Sequence, residues 1–318
     1  MKTASILASL AAATAMSEQT FPASAAAPAV VLRHGGLRAE ITPAWAGRLT
    51  FFGLDGGENA LWADPAAADA GLDENGRQIW KNVGGEKTWV GSQGDGWRAF
   101  AGQEEGSVWP PPEWFDSAPF RVLSADPSNL VVRSGTGKAG DWEVAVERSF
   151  SLGPGGLEIR QRLVPESVGA AGPDPLPDDI RRLWSVAQVP RADEVRLRLC
   201  GEGRHFEKGE MGPPAGGDGT GWVRLDVAPL SKWGKIMADG DALAVPYAGG
   251  RWFTIEQTAP RRFLDAIAEP GRAMVYASPV DYSPSAYMEL EFAAYGPDAE
   301  QTLVLGIRRD LPPPPQER

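Results

Sequence analysis

Residues 141–163, DWEVAVERSFSLGPGGLEIRQRL, decide how this chain folds. In the first half Trp142, Val144, Val146 and Phe150 share one face, and Glu143, Glu147 and Ser149 take the other. That period of two belongs to a strand half buried in a core, not to a helix. After LGPGG the pattern resumes, with Leu157, Ile159 and Leu163 against Glu158, Arg160 and Arg162. Two alternating runs joined by a Pro/Gly turn make a β-hairpin.

The same alternation recurs outward from this hairpin. EVRLRLC (194–200) points Val195, Leu197 and Leu199 inward. In AYMELEFAAY (286–295), Met288, Leu290 and Phe292 oppose Glu289 and Glu291. QTLVLGI (301–307) is apolar on both faces, which suits a central strand. Helical period is weak everywhere: DPAAADAGLDENG (64–76) and PDDIRRLW (177–184) read as short surface turns at most. Turn signals recur about every ten residues, so the expected class is all-β, a large antiparallel sandwich or barrel. No repeat of ~20–50 residues is visible, which disfavours a propeller or solenoid.

The chain has 318 residues, 42% hydrophobic and 23% charged, with 38 glycines and 28 prolines. This length allows one large β domain. A net charge of −11 argues against a nucleic-acid partner, which needs a basic footprint. No apolar run is long enough to span a bilayer. Residues 1–28 resemble a secretory leader: Lys2 precedes an apolar stretch from Ala4 to Met16, followed by small-residue sites. The expectation is export to the periplasm or the medium, then a single domain over 29–310 and a disordered proline-rich tail over 311–318. The lone Cys200 excludes an internal disulfide, so the core must hold the fold.

Five of the twelve tryptophans fall between Trp80 and Trp114. There the rings alternate with glycine, proline and polar groups without regular spacing, which reads as loops carrying either a pocket or a hydrophobic plug. Lys87, Trp89, Gln93, Trp109, Glu113, Trp114 and Asp116 are candidate contacts for an amphipathic ligand such as a sugar, aromatic faces covering the ring and polar groups fixing its hydroxyls. GGEKT (84–88) is no phosphate-binding loop, and there is no G-x-S-x-G, H-E-x-x-H or cysteine pair. PDPLPDD (173–179) lacks calcium-loop spacing. No cofactor and no metal are expected.

Five segments together resemble a family of bacterial proteins with a galactose-mutarotase-like (aldose 1-epimerase-like) fold. They are AGRLTFFGLDGGENALW (46–62), WKNVGGEKTW (80–89) with VWPPPEWFD (108–116), LWSVAQV (183–189), KWGKIMADGDALAVPYAGGRWF (232–253) and YMELEFAAYGP (287–297). The resemblance implies a β-supersandwich whose concave face binds carbohydrate in related families, with the tryptophan segment as a rim loop. It fixes no reaction, because the family has no assigned activity. FTIEQTAP (253–260) is similar to the strand that carries the mutarotase general base, which maps the base onto Glu256. Trp252, Thr254 and Glu256 share one face of that strand, a set suited to a polyol. His205, in the polar loop CGEGRHFEKGE, is the candidate acid, while His34 in LRHGGLR reads as part of the first hairpin turn. Glu289 and Glu291, about 7 Å apart along one strand face, read as a solvated pair. The expected function is an exported saccharide-interacting protein. It is either an aldose 1-epimerase-like isomerase using general acid–base chemistry, or a non-catalytic carbohydrate-binding or envelope structural protein. The oligomeric state is left open.

Overall fold

The computed structural model describes residues 28–64, 67, 79–102, 105, 108–167, 180–200, 203–217, 221–227, 230–258, 272–281, 286–295 and 300–312. Residues 1–27, where a leader is expected, most of the 64–76 stretch, the PDPLPDD loop and the last six residues of the sequence lie outside them.

The chain begins with β1 (Val30–His34), β2 (Leu37–Thr42), β3 (Arg48–Leu54) and β4 (Glu86–Val90). The expected turn at His34 joins β1 to β2 through Gly35 and Gly36, both at positive φ. Next come β5 (Arg121–Ala125), β6 (Asn129–Arg133), β7 (Gly137–Ala139), β8 (Trp142–Gly153) and β9 (Gly156–Ser167). The middle of the chain holds β10 (Arg182–Pro190), β11 (Glu194–Leu199), β12 (His205–Gly209), β13 (Ala215–Gly217), β14 (Trp222–Asp226) and β15 (Gly234–Ala238). Last are β16 (Gly240–Tyr247), β17 (Arg251–Thr258), β18 (Ala273–Ala277), β19 (Tyr287–Tyr295) and β20 (Glu300–Arg308).

These strands form two antiparallel sheets. The first has nine strands in the order β1-β2-β3-β4-β10-β19-β18-β15-β12. The second has eleven, in the order β13-β14-β11-β16-β17-β20-β9-β8-β6-β5, with β7 added against β8. The hairpin read from residues 141–163 is β8 and β9, closing at the Gly153–Gly156 pair. Its Val144, Val146, Phe150, Leu157, Ile159 and Leu163 are buried in the core between the sheets. As expected, β20 is an interior strand, with Leu303 and Leu305 fully buried.

The core also holds polar bridges that alternation alone does not reveal. Arg148 takes an inward position on β8 and is fully buried. Its guanidinium pairs with the buried Glu86 of β4 and donates to the Gly47 carbonyl at 2.9 Å. Glu86 also accepts from the Ser185 hydroxyl at 3.0 Å. Beside it, Gln161 links Thr88 of the first sheet to Gln301 within the second. Such pairs add little net stability over an apolar core, but losing one partner strands a buried charge. They therefore pin the register of β4 against the opposite sheet.

Three local expectations need correction. PDDIRRLW forms no helical turn over its last three residues: Arg182–Pro190 is a central strand, buried on both faces from Leu183 to Val189. The tryptophan segment is not loop throughout. It carries α1 (Asp95–Ala101) and α2 (Glu113–Asp116). The first ends at Gly102, in the left-handed conformation (φ 64°), whose N–H caps the Ala99 and Arg98 carbonyls. At the other end of the chain, Leu311 packs against the Trp222, Ala242 and Ala244 cluster. The Trp222 indole donates to the Pro312 carbonyl at 2.8 Å, so the start of the tail is held in place.

Candidate active site

Strand alternation gives the first sheet an inner and an outer face. On β4, Glu86 and Thr88 turn inward, so Lys87 and Trp89 must turn outward. The ladder carries that outward set across neighbouring strands. Gln188 of β10 pairs with Glu289 of β19, Glu289 with Tyr276 of β18, and Tyr276 with Lys235 of β15. One step along, Lys87 pairs with Val186, and Val186 with Glu291. Five adjacent strands thus display Lys87, Gln188, Glu289, Glu291, Tyr276 and Lys235 on one surface, although these residues come from four distant parts of the sequence.

The Trp80–Trp114 segment folds down over one end of this surface, and most of it is plug. Trp89 and Trp97 are buried and meet edge to face at 5.2 Å, and Trp184 of β10 packs on Trp89 at 5.0 Å. The Trp97 indole donates to the Val90 carbonyl at 3.1 Å. Asp116 at the end of α2 organises the segment. Its carboxylate accepts from the indoles of Trp80 and Trp89, both at 2.7 Å, and lies 3.4 Å from Arg48 and 3.8 Å from Lys87. Burial pushes the Asp116 pKa up, but the two cations and two indole donors outweigh it and hold the carboxyl below its usual range. Trp114 is part-buried between Phe100 and Phe115, while Gln93 and Glu113 point to solvent. Trp109 differs from the other rings: it sits edge-on to Trp80 at 4.7 Å and remains 46% exposed.

Beside the plug lies a cluster of charges with two distinct states. Glu291 is fully buried, receives Lys235 Nζ on both oxygens at 2.8 Å, and accepts the Trp184 indole N–H at 2.7 Å. Glu289 is only part-buried, and its one hydrogen bond is from the Gln188 amide at 2.7 Å. No cation lies within ion-pair distance of it among the described residues. Burial first, and the neighbouring Glu291 charge second, raise its pKa to about 6; Lys87, Gln188 and Lys235 offset part of that rise. Lys87, buried over the Trp89 ring at 4.3 Å, moves the other way. Desolvation lowers its pKa to about 8, against the pull of Asp116. A carboxyl pushed up and an ammonium pushed down, on one face, can exchange protons near neutrality.

Aromatic rings border the cluster on its other side. Trp233, 45% exposed, lies 6.5 Å from Tyr276; Tyr276 lies 6.3 Å from Tyr287, which stacks on Trp62 at 5.1 Å. Among the described residues no group of three or more His, Cys, Asp or Glu is placed to hold a metal ion. No helix among them is long and apolar enough to cross a membrane.

The structure does not bring Glu256 and His205 to this surface. Glu256 is on β17 of the eleven-stranded sheet, where Phe253 and Ile255 fill the core and Trp252, Thr254 and Glu256 take the opposite face. There it pairs with Arg198 at 3.2 Å and Arg308 at 3.3 Å, while Trp252 lies under Arg196. His205 starts the edge strand β12 and faces its own neighbour Glu207 at 3.2 Å. Glu289 and Glu291, expected to be solvated, are part-buried and fully buried, because β10 and β18 flank β19 and Trp184 and Lys235 close on Glu291. Their position was visible as polar residues alternating within an apolar strand. Their neighbours were not, because β10 and β19 are about a hundred residues apart in the chain.

Two large antiparallel sheets packed face to face, with charged and aromatic groups clustered on an outer face, define a β-supersandwich of the galactose-mutarotase-like type. Solved structures of that fold match most of the chain. A galactose mutarotase-like protein from Lactobacillus casei ATCC 334 superimposes with a TM-score of 0.54, covering 88% of this chain and 100% of its own at 10% identity. A second, from Clostridium acetobutylicum, gives 0.53, covering 88% and 95% at 13% identity. A protein from Synechocystis sp. PCC 6803 gives 0.54, covering 93% and 100% at 11% identity. No protein-family model matches the chain, and no curated protein matches it in sequence. At these identities the likeness establishes the fold.

Proposed function

We propose that the protein binds a saccharide on the outer face of the nine-stranded sheet and exchanges its anomers, with Glu289 as general base. One observation carries this reading: Glu289 is a part-exposed carboxyl that titrates near 6, lacks a cationic partner among the described residues, and sits between aromatic rings and a lysine on the same surface. A base is most effective when its pKa lies near the working pH. The galactose mutarotase-like structures that share the fold support a sugar as the substrate class.

In the proposed step Glu289 removes the proton of the anomeric hydroxyl. The freed electron pair forms the C1 carbonyl, the bond from C1 to the ring oxygen breaks, and the ring oxygen takes a proton from Lys235. Rotation about the C1–C2 bond and the reverse transfers close the other anomer and restore both groups. Lys235 starts two strands from Glu289, and its side chain crosses β18 to bring Nζ onto Glu291, two residues along β19 from Glu289. Glu291 holds Lys235 by both oxygens and positions it. The leader at residues 1–28 supports the periplasm or the medium as the place of action.

The test is anomer equilibration, followed by polarimetry or NMR, over hexoses, pentoses and uronic acids. Acceleration of at least one sugar, lost in Glu289→Gln, supports the reading. No acceleration across the panel overturns it.

A further inference from the structure

We infer that the ligand of this face is a glycan chain of at least three sugar rings, not a free monosaccharide; this rests on the saccharide reading above. The first ground is span. The outward polar row runs from Lys235 on β15 through β18, β19 and β10 to Lys87 on β4, four strand spacings or about 19 Å. Lys87, Gln188 and Glu291 along it are buried, so a ligand meets Glu289, Tyr276 and Lys235; a pyranose ring covers about one such spacing, ~5 Å, so a single sugar at Glu289 reaches neither end of the row.

The second ground is where exposed tryptophan sits. Trp233 and Trp109 keep nearly half of their surfaces in water, and they lie at opposite ends of the row. Trp233 is beside Tyr276, next to Lys235, with the two rings 23° apart. Trp109 caps the plug at the Lys87 end, 6.3 Å from Trp89. Core packing does not explain a tryptophan left this exposed, and flat rings paired with hydroxyl-binding groups suit sugar faces.

The third ground is that the surface continues past Trp109. Asp116, which Lys87 approaches at 3.8 Å, also borders a shallow cleft that opens to solvent. Trp80, Pro110, Pro111 and Lys81 line it with Arg48, whose buried Nε has no hydrogen-bond partner among the described residues. The fixed charges along the way are paired, Lys235 with Glu291 and Arg48 and Lys87 with Asp116, which favours a neutral glycan over a polyanion.

The experiment is calorimetric titration with mono- to tetrasaccharides of α-1,4-, β-1,4- and β-1,3-linked glucose, galactose and mannose, on the wild type and on Trp109→Ala and Trp233→Ala. The expected result is at least tenfold tighter binding of a trisaccharide than of its monosaccharide in one series. In each variant the tri-to-monosaccharide affinity ratio falls by about fivefold or more, while a cooperative unfolding transition and the far-UV spectrum are retained. Affinity flat with length, or a ratio unchanged in both variants, overturns the inference. Anomer exchange of monosaccharides with flat length dependence sinks only this inference. Length-dependent binding without exchange sinks only the catalytic reading, and no binding in any series sinks both.

Discussion

Glu256 and Glu289 make an instructive pair. Each is a part-buried glutamate on the outer face of a large sheet, two or more residues from an aromatic side chain on its own strand. Around Glu256 the neighbouring strands contribute arginines: Arg198 and Arg308 bind its two oxygens, and Asp241 shares Arg198. Around Glu289 they contribute an amide and lysines engaged elsewhere, and its own strand adds a second carboxylate, Glu291. Glu256 is thereby engaged on both oxygens within a charge network. Glu289 is left with one neutral donor and a pKa near neutrality. A strand position that looks catalytic in one dimension therefore acquires or loses that capacity from cross-strand neighbours.

The most severe test of this comparison is exchange of each carboxyl for an amide. Glu289→Gln is expected to lower the anomer-exchange rate by ~10²–10⁴-fold, the usual worth of a general base. Glu256→Gln should stay within about twofold of wild type. An equal or larger loss at Glu256 in polarimetry would place the centre on the other sheet.

A second contrast lies within the tryptophan segment. Asp116→Ala leaves Arg48 and Lys87 buried without their shared counter-charge, so about 3–5 kcal/mol of stability should vanish in urea unfolding. Gln93→Ala and Glu113→Gln, at exposed positions of the same segment, should change it by less than ~0.5 kcal/mol. Similar losses at all three would mean that Asp116 is not the organising group.

pH separates the two glutamates more gently. As the base, Glu289 must be ionised, so the rate should rise between pH 5 and 7 with a midpoint of about 6. Stability should move oppositely. The folded state holds this proton up to about pH 6, while the unfolded chain releases it near the ordinary glutamate value of ~4.3. Between those values the folded state binds more protons, so stability falls as pH rises, by roughly 2 kcal/mol at most. Glu289→Gln should flatten both profiles, and a rate profile that stays unchanged in Glu256→Gln completes the contrast. Glu256→Gln should itself cost about 1 kcal/mol of stability, from loosening a part-exposed ion network.

Much of the fold was legible along the chain. The alternation in 141–163, 194–200, 286–295 and 301–307 became β8, β9, β11, β19 and β20 with the inward residues expected. The segments that resembled the mutarotase-like family supply the candidate site: LWSVAQV carries Trp184 and Gln188, KWGKIM carries Trp233 and Lys235, and YMELEF carries Glu289 and Glu291. What the string FTIEQTAP did not show was the sheet on which Glu256 would lie. FTIEQTAP looked right as a short string, yet its strand belongs to the other sheet. The tryptophan segment also needed dividing: Trp89, Trp97 and Asp116 are plug, and Trp109 is surface.

By itself, the sequence determined which residues alternate, where the chain turns, and hence that this is a large antiparallel β protein with polar groups on outward positions. These are local properties, set by side-chain period and by glycine and proline. Only the tertiary structure decided which outward glutamate lies beside an arginine and which beside a glutamine. Sheet order joins strands a hundred residues apart, and a carboxyl's ionisation depends on charges and solvent within a few ångströms of it.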